Sequence, residues 1–128
     1  MNAYQTRIIF SDETINYTLR NWLPLNSKNH KEYSAIETEA ERIRYLEKIL
    51  TANILSMAKG LDITLEQKIE CQITYCSDMR LIKHKGVKMT AFSVCFSSNI
   101  ILPQYIGLGK GSSHGYGVLR LYDNNKNN

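Results

Sequence analysis

The sequence predicts an α+β fold: a mostly antiparallel sheet with one long helix packed on one face. Three observations predict it. Several stretches alternate apolar and polar residues with a period of two, the signature of half-buried strands. One stretch, from about residue 28 to 61, instead repeats every three to four residues. The strands and the helix also come in blocks, without the strict alternation of a parallel sheet. With 128 residues, 43% hydrophobic and 22% charged, the chain is long enough to bury a core as one domain. Residues 1–122 read as that domain and 123–128, DNNKNN, as a polar disordered tail.

The first segment, YQTRIIF, sets Tyr4, Thr6, Ile8 and Phe10 against Gln5 and Arg7. After a break at SDE, TINYTLRNW sets Ile15, Tyr17 and Leu19 against Asn16, Thr18 and Arg20, so both read as strands. LPLNSKN stops the ladder at Pro24 and offers Asn26 or Ser27 as a helix cap. The stripe Ile36, Ala40, Ile43, Leu46 or Glu47, Leu50, Ile54, Met57 and Leu61 then describes one long amphipathic helix. A shorter helix around His30 to Ala35 leads into it, and Gly60 sits where a capping glycine ends it. In KIECQITYC, Ile69, Cys71, Ile73 and Tyr75 alternate with Glu70, Gln72 and Thr74. RLIKH, the turn Lys85-Gly86 and VKMTAFSVCFS read as a hairpin with a basic tip, with Phe92, Val94 and Phe96 sharing a face. YGVLRLY is the closing strand. The order suits a ferredoxin-like pattern whose second helix is weak or absent.

Net charge is +4 with a pI near 9.0. Residues 1–64 hold eight basic and eight acidic side chains, whereas residues 65–128 hold eight basic and four acidic. From Met79 to Tyr122 stand Arg80, Lys83, Lys85, Lys88, Lys110 and Arg120 with no acid among them. A one-sign stretch of that length attracts polyanions, although lysines also protect exposed strand edges. No apolar run reaches the roughly 20 residues of a membrane span. The N-terminus lacks a signal architecture, so the reading is cytoplasmic, with no membrane partner. Cys71, Cys76 and Cys95 are an odd number in a reducing compartment, and Cys71 and Cys76 are expected on opposite faces of a strand as buried thiols. His and Cys are too scattered for zinc, and no metal is expected.

Five of the seven glycines fall between residues 107 and 117, in GLGKGSSHGYG. Glycines allow close backbone approach, their N–H groups form an anion-binding concavity, and Lys110 adds a cation. The segment is neither a Walker loop, which a helix would follow, nor a dinucleotide fingerprint. A purely structural turn is the alternative, but five glycines in eleven residues exceed the needs of one turn, and a small nucleotide-phosphate-binding domain is a third reading.

IGLGKGSSHGYGVLRL resembles the C-terminal glycine-rich loop of the CRISPR-associated repeat-processing endoribonucleases, the Cas-six family. Its members share a Gly-x-Gly, a basic patch and a closing Gly-aromatic-Gly, here Gly107, Gly109, Lys110, Gly115, Tyr116 and Gly117. LRNWLPLNSKN, LEKILTANILSMAKG and KHKGVKMTAFSVCF extend the resemblance over roughly residues 14–122. It implies an RNA-recognition-type domain that binds the repeat of precursor CRISPR RNA and takes part in its metal-independent cleavage, with no cofactor. The ribose 2′-OH attacks the adjacent phosphate and leaves a 2′,3′-cyclic phosphate. Arg80, Lys83, His84, Lys85 and Lys88 are expected on the stem phosphates. Gly107, Gly109, Lys110, Gly111, Ser112, Ser113, Gly115, Tyr116 and Gly117 are expected to hold the backbone near the cut.

Typical members carry two such domains, and the usual catalytic histidine lies in the N-terminal one, which nothing here matches. The resemblance thus implies a fragment, one half of a split enzyme, or a minimal variant. Its partner would be a second ferredoxin-like domain or chain, or a second copy of this one. His114, inside the glycine loop, is the candidate catalytic acid or base, and its plainer role is a loop residue that touches RNA. His84 suits a phosphate contact better, and His30 suits an exposed helix entry. Tyr105 and Tyr116 flank the loop and serve either as stacking platforms or as core. The alternative function is a non-catalytic RNA-binding or assembly subunit of the same fold.

Overall fold

In the computed structural model, the described residues are 9–122, apart from Thr64, Glu66, Asp78 and Gln104. The segment Tyr4–Ile8 and the tail 123–128 therefore lie outside them. Strand β1 spans Ile9–Trp22, helix α1 Ser27–Ala35 and helix α2 Glu39–Gly60. Strands β2 Cys71–Cys76, β3 Arg80–His84 and β4 Val87–Ile101 follow, then a 3-10 turn at Ser112–His114 and strand β5 Val118–Leu121. The sheet is antiparallel in the order β2-β4-β1-β5, with β3 paired to β4. This is the ferredoxin-like order, with the second crossover made by the glycine loop and not by a helix.

Both helices lie between β1 and β2. Asn26 caps α1, its side chain accepting from Asn29 N at 2.8 Å, and Thr38 caps α2 through Glu41 N at 3.2 Å. Leu46, Leu50, Ile54 and Ala58 form the buried stripe of α2. It packs on Tyr17, Leu19, Val94, Phe96 and Leu119, the core face of the sheet. Each large side chain so buried contributes about 1.5–3 kcal/mol. The Tyr17 hydroxyl donates to Ile100 O and accepts from Leu102 N, both at 2.8 Å, tying β1 to the end of β4. No helix among the described residues is long and apolar enough to cross a membrane.

Four local expectations change. The break at SDE does not end a strand: β1 runs through it, with a register shift between Phe10 and Ile15 that absorbs the extra residues as a bulge. Gly60 stays helical, and Asp62 at φ 56 takes the left-handed position instead. A second irregularity, between Ile73 and Tyr75, resets the alternation of β2. Tyr75 consequently points outward, 60% exposed, and both Cys71 and Cys76 pack against the core rather than on opposite faces. Lastly, strand β4 extends well past Ser97, to Ile101.

The hairpin reaches further than expected. β2 and β3 follow one another along the same edge of β4, bridged where Ser77 N donates to Ser93 O at 2.9 Å and Ser93 N to Ser77 Oγ at 2.8 Å. β1 leaves β4 at Trp22↔Phe92. Beyond that point only β3 and β4 remain, an arm of five pairs from Arg80↔Ala91 to His84↔Val87. At the rise of a strand, the arm projects about 17 Å beyond the main sheet. Lys85 at φ 52 and Gly86 at φ 78 close it, the pairing of signs that a two-residue primed turn demands.

Candidate nucleic-acid interface

The glycine loop is laid against the end of β1. Leu108 N donates to Gly117 O at 2.9 Å and Leu119 N to Ile106 O at 2.9 Å, so residues 105–108 run back along β5. Gly117 N reaches Arg20 O at 3.0 Å and Asn21 O at 3.1 Å. Inside the loop, His114 N and Tyr116 N both donate to Gly111 O, at 2.9 and 3.2 Å. Below it, Trp22 Nε1 donates to Asn53 Oδ1 at 2.9 Å and forms a floor under Gly109.

These contacts answer why side chains are missing here. A Cβ on Gly107 would come within 2.2 Å of Ser112 Cβ, and one on Gly117 within 2.2 Å of Leu108 O. The neighbours that exclude side chains at these positions are the protein's own atoms, Ser112 and Leu108. Gly115 differs: it lies at φ +88 and a Cβ there would meet nothing within 4 Å.

The β3–β4 arm meets this loop. The His84 and His114 rings stand edge to face with centroids 5.1 Å apart, and His84 stands in the same way to Tyr116 at 5.4 Å. Gly111 lies in the same junction, where a Cβ would be 2.9 Å from Tyr116 Cδ2 and 3.4 Å from His84 Nε2. Arg80, nearer the base of the arm, donates to Asn21 Oδ1. The junction brings together residues 84, 111, 114 and 116, which no sequence spacing links.

Arg80, Lys83, Lys85, Lys88, Lys110, Ser112 and His114 are exposed, and the side chain of Ser113 lies outside what is described. Lys83 and Lys88 are direct cross-strand partners. Like charges so placed destabilise a hairpin by about 0.2–1 kcal/mol, and a polyanion relieves that repulsion. Among the described residues, no group of three or more His, Cys, Asp or Glu could hold a metal ion.

Two features escape sequence reasoning. Asn21, at φ 51, is the left-handed residue at which β1 shifts register and turns towards the loop. Tyr105, 67% exposed at φ 68, carries the Arg120 guanidinium over its ring at 5.6 Å from the centroid. A left-handed non-glycine costs about 1–2 kcal/mol, whereas an exposed cation–π pair returns only about 0.5–1 kcal/mol. The aromatic in PQYIG was legible as a platform candidate, but its backbone and its partner were not.

Comparison with known proteins agrees with this architecture. Residues 9–122 match the family model of the Cas6b C-terminal domain. An uncharacterized protein of Methanocaldococcus jannaschii is 40% identical over 101 residues, 78% of this chain and 67% of that one. A crystal structure of Cas6b is similar with a TM-score of 0.82 and 32% identity, over 90% of this chain and 58% of that one. A crystal structure of the CRISPR RNA processing endoribonuclease Cas6b gives 0.80 and 32%, over 88% and 57%. Csf5, a type IV Cas6 crRNA endonuclease, gives 0.72 at 15% identity, over 91% and 47%, a likeness of fold alone. The chain thus spans 57–58% of the length of the two Cas6b structures. With 9–122 matched in full, the chain belongs to the Cas6b C-terminal-domain family.

Proposed function

We propose that this chain binds the repeat of precursor CRISPR RNA and takes part in its cleavage, as the C-terminal domain of a repeat-processing endoribonuclease. One observation carries the reading: a basic, acid-free hairpin arm meets the glycine loop through His84, His114 and Tyr116. Lys83, Lys85 and Lys88 line the stem phosphates, with Arg80 at the base of the arm. Lys110 and the open side of the loop at Gly115 hold the backbone near the scissile bond.

In the reaction, a base takes the 2′-OH proton, the 2′-oxygen bonds to phosphorus and the bond to the 5′-oxygen breaks. An acid then returns a proton to that oxygen, leaving a 2′,3′-cyclic phosphate and a 5′-OH. His114 is the candidate for one of these transfers. A second reading, a non-catalytic binder, draws support from the ring contact itself. In-line displacement needs base and acid on opposite sides of phosphorus, and His84 and His114, with rings in contact at 5.1 Å, do not stand as such a pair.

Titrating a labelled repeat hairpin at two salt concentrations tests binding. Affinity falls as salt rises, because neutralised phosphates release counterions; salt-independent binding, or none, overturns the proposal. A 2′-deoxy substitution at the cut site abolishes cleavage while EDTA does not, and inhibition by EDTA refutes the mechanism. Cleavage that survives His114→Ala removes this residue from the chemistry, and an inactive parent that still binds favours the second reading.

A further inference from the structure

Besides the junction, the described surface offers a groove between α2 and β2, the helix-free sheet face and the β5 edge. Only the β5 edge joins an exposed aromatic ring to a cation. Leu119 is fully buried, so the alternation of β5 turns Arg120 away from the core, onto the face that α2 does not cover. Arg120 pairs with Thr18 of β1. Its guanidinium lies over the ring of Tyr105, a residue 67% exposed. The backbone fixes the ring's origin: Tyr105 N donates to Leu119 O at 2.7 Å while φ is held at 68°. A surface tyrosine with no task beyond covering the chain has no need of a left-handed conformation, which a glycine adopts freely.

We propose that Tyr105 and Arg120 form a stacking site for one unpaired RNA base. The base lies against the Tyr105 ring, and Arg120 closes the stack and meets the adjoining phosphate. Arg120 stands two residues along β5 from Val118, which bridges to Gly107 at the foot of the glycine loop. That separation is about 7 Å along a strand, within reach of a nucleotide adjoining one held by the loop. The hairpin arm thereby takes paired RNA and the β5 edge takes the single strand that leaves it. This rests on the RNA reading above.

The test uses Tyr105→Gly, which removes the ring and relieves the left-handed strain, so the variant folds at least as well as the parent, as a thermal melt checks. Tyr105→Phe and Arg120→Gln accompany it. The probes are a repeat stem-loop with a single-stranded extension, the same stem-loop cut flush, and a short oligouridylate. Tyr105→Gly weakens binding of the extended RNA and the oligouridylate by roughly 5- to 100-fold, leaves the flush stem-loop within about 2-fold, and Tyr105→Phe behaves as the parent. Equal affinity of Tyr105→Gly and parent for the extended RNA overturns the site, as does an equal loss on the flush stem-loop. A parent that binds oligouridylate through Tyr105 but ignores the repeat sinks the CRISPR reading and leaves the stacking site standing. A parent that binds none of the three overturns both.

Discussion

Gly117→Ala and Gly115→Ala form a paired test of what the glycine loop is built for. Both residues have positive φ, +67 and +88, so each alanine carries the left-handed penalty of about 1–2 kcal/mol. At Gly115 the cost ends there, because a Cβ meets nothing within 4 Å. At Gly117 the Cβ lands 2.2 Å from Leu108 O and 3.3 Å from Leu108 C, backbone atoms that cannot swing aside. Residue 117 or residue 108 must move, and the bonds Leu108 N to Gly117 O and Gly117 N to Arg20 O are the ones at risk. Leaving a buried donor unsatisfied adds about 1–3 kcal/mol. The expected losses are therefore about 1–2 kcal/mol for Gly115→Ala and about 2–5 kcal/mol for Gly117→Ala. Urea unfolding followed by circular dichroism reads both midpoints. RNA titration reads the converse: Gly115→Ala adds a methyl group on the open side of the loop and lowers affinity out of proportion to its stability loss. If Gly117→Ala unfolds within about 0.5 kcal/mol of Gly115→Ala, the steric account of the loop is wrong.

Other outcomes follow from the same geometry. Lys83→Glu replaces a like-charge cross-strand pair by an opposite one, so the melting temperature rises while the salt slope of RNA binding falls by about one contact. Lys85→Asn suits the left-handed turn position at φ 52 better than lysine does, so hairpin stability rises by up to about 1 kcal/mol as RNA affinity drops; a destabilised variant argues against the primed turn. Trp22→Phe deletes the indole donor to Asn53 and costs about 1–3 kcal/mol, measured by denaturant unfolding, with the perturbation reaching Gly109. Desolvation, together with the hydrogen bond to Glu32, pushes the Tyr45 phenol up to about 12. A raised folded pKa favours the native state below the unfolded value of about 10 and loses that advantage as pH climbs towards 12. Stability should accordingly decline over that alkaline window, and Tyr45→Phe should flatten the decline in pH-dependent melts.

Much was already decided by local chemistry. The period-two runs of β1 and β4, the helical stripe through Leu46, Leu50 and Ile54, the Asn26 cap and the Lys85-Gly86 turn are each dictated by neighbours in sequence, and each appears in the fold. The excess of cations from Arg80 to Arg120 and the glycine cluster were equally legible, as was the resemblance they carry. Only the tertiary structure decided where the periods slip. A bulge depends on the strand across the ladder, so neither the run of β1 through SDE nor the outward turn of Tyr75 could be read from one strand alone. The glycines showed that the backbone was approached closely but not by what; Ser112, Leu108 and the His84–Tyr116 pair are the answer. His84 and His114 are thirty residues apart in the chain and become neighbours because the arm of β4 outruns β1 and meets the loop that β1 anchors. Periodicity and composition report on what lies beside a residue in sequence, whereas a site assembled from a hairpin tip and a crossover loop is set by strand lengths and pairings across the whole sheet.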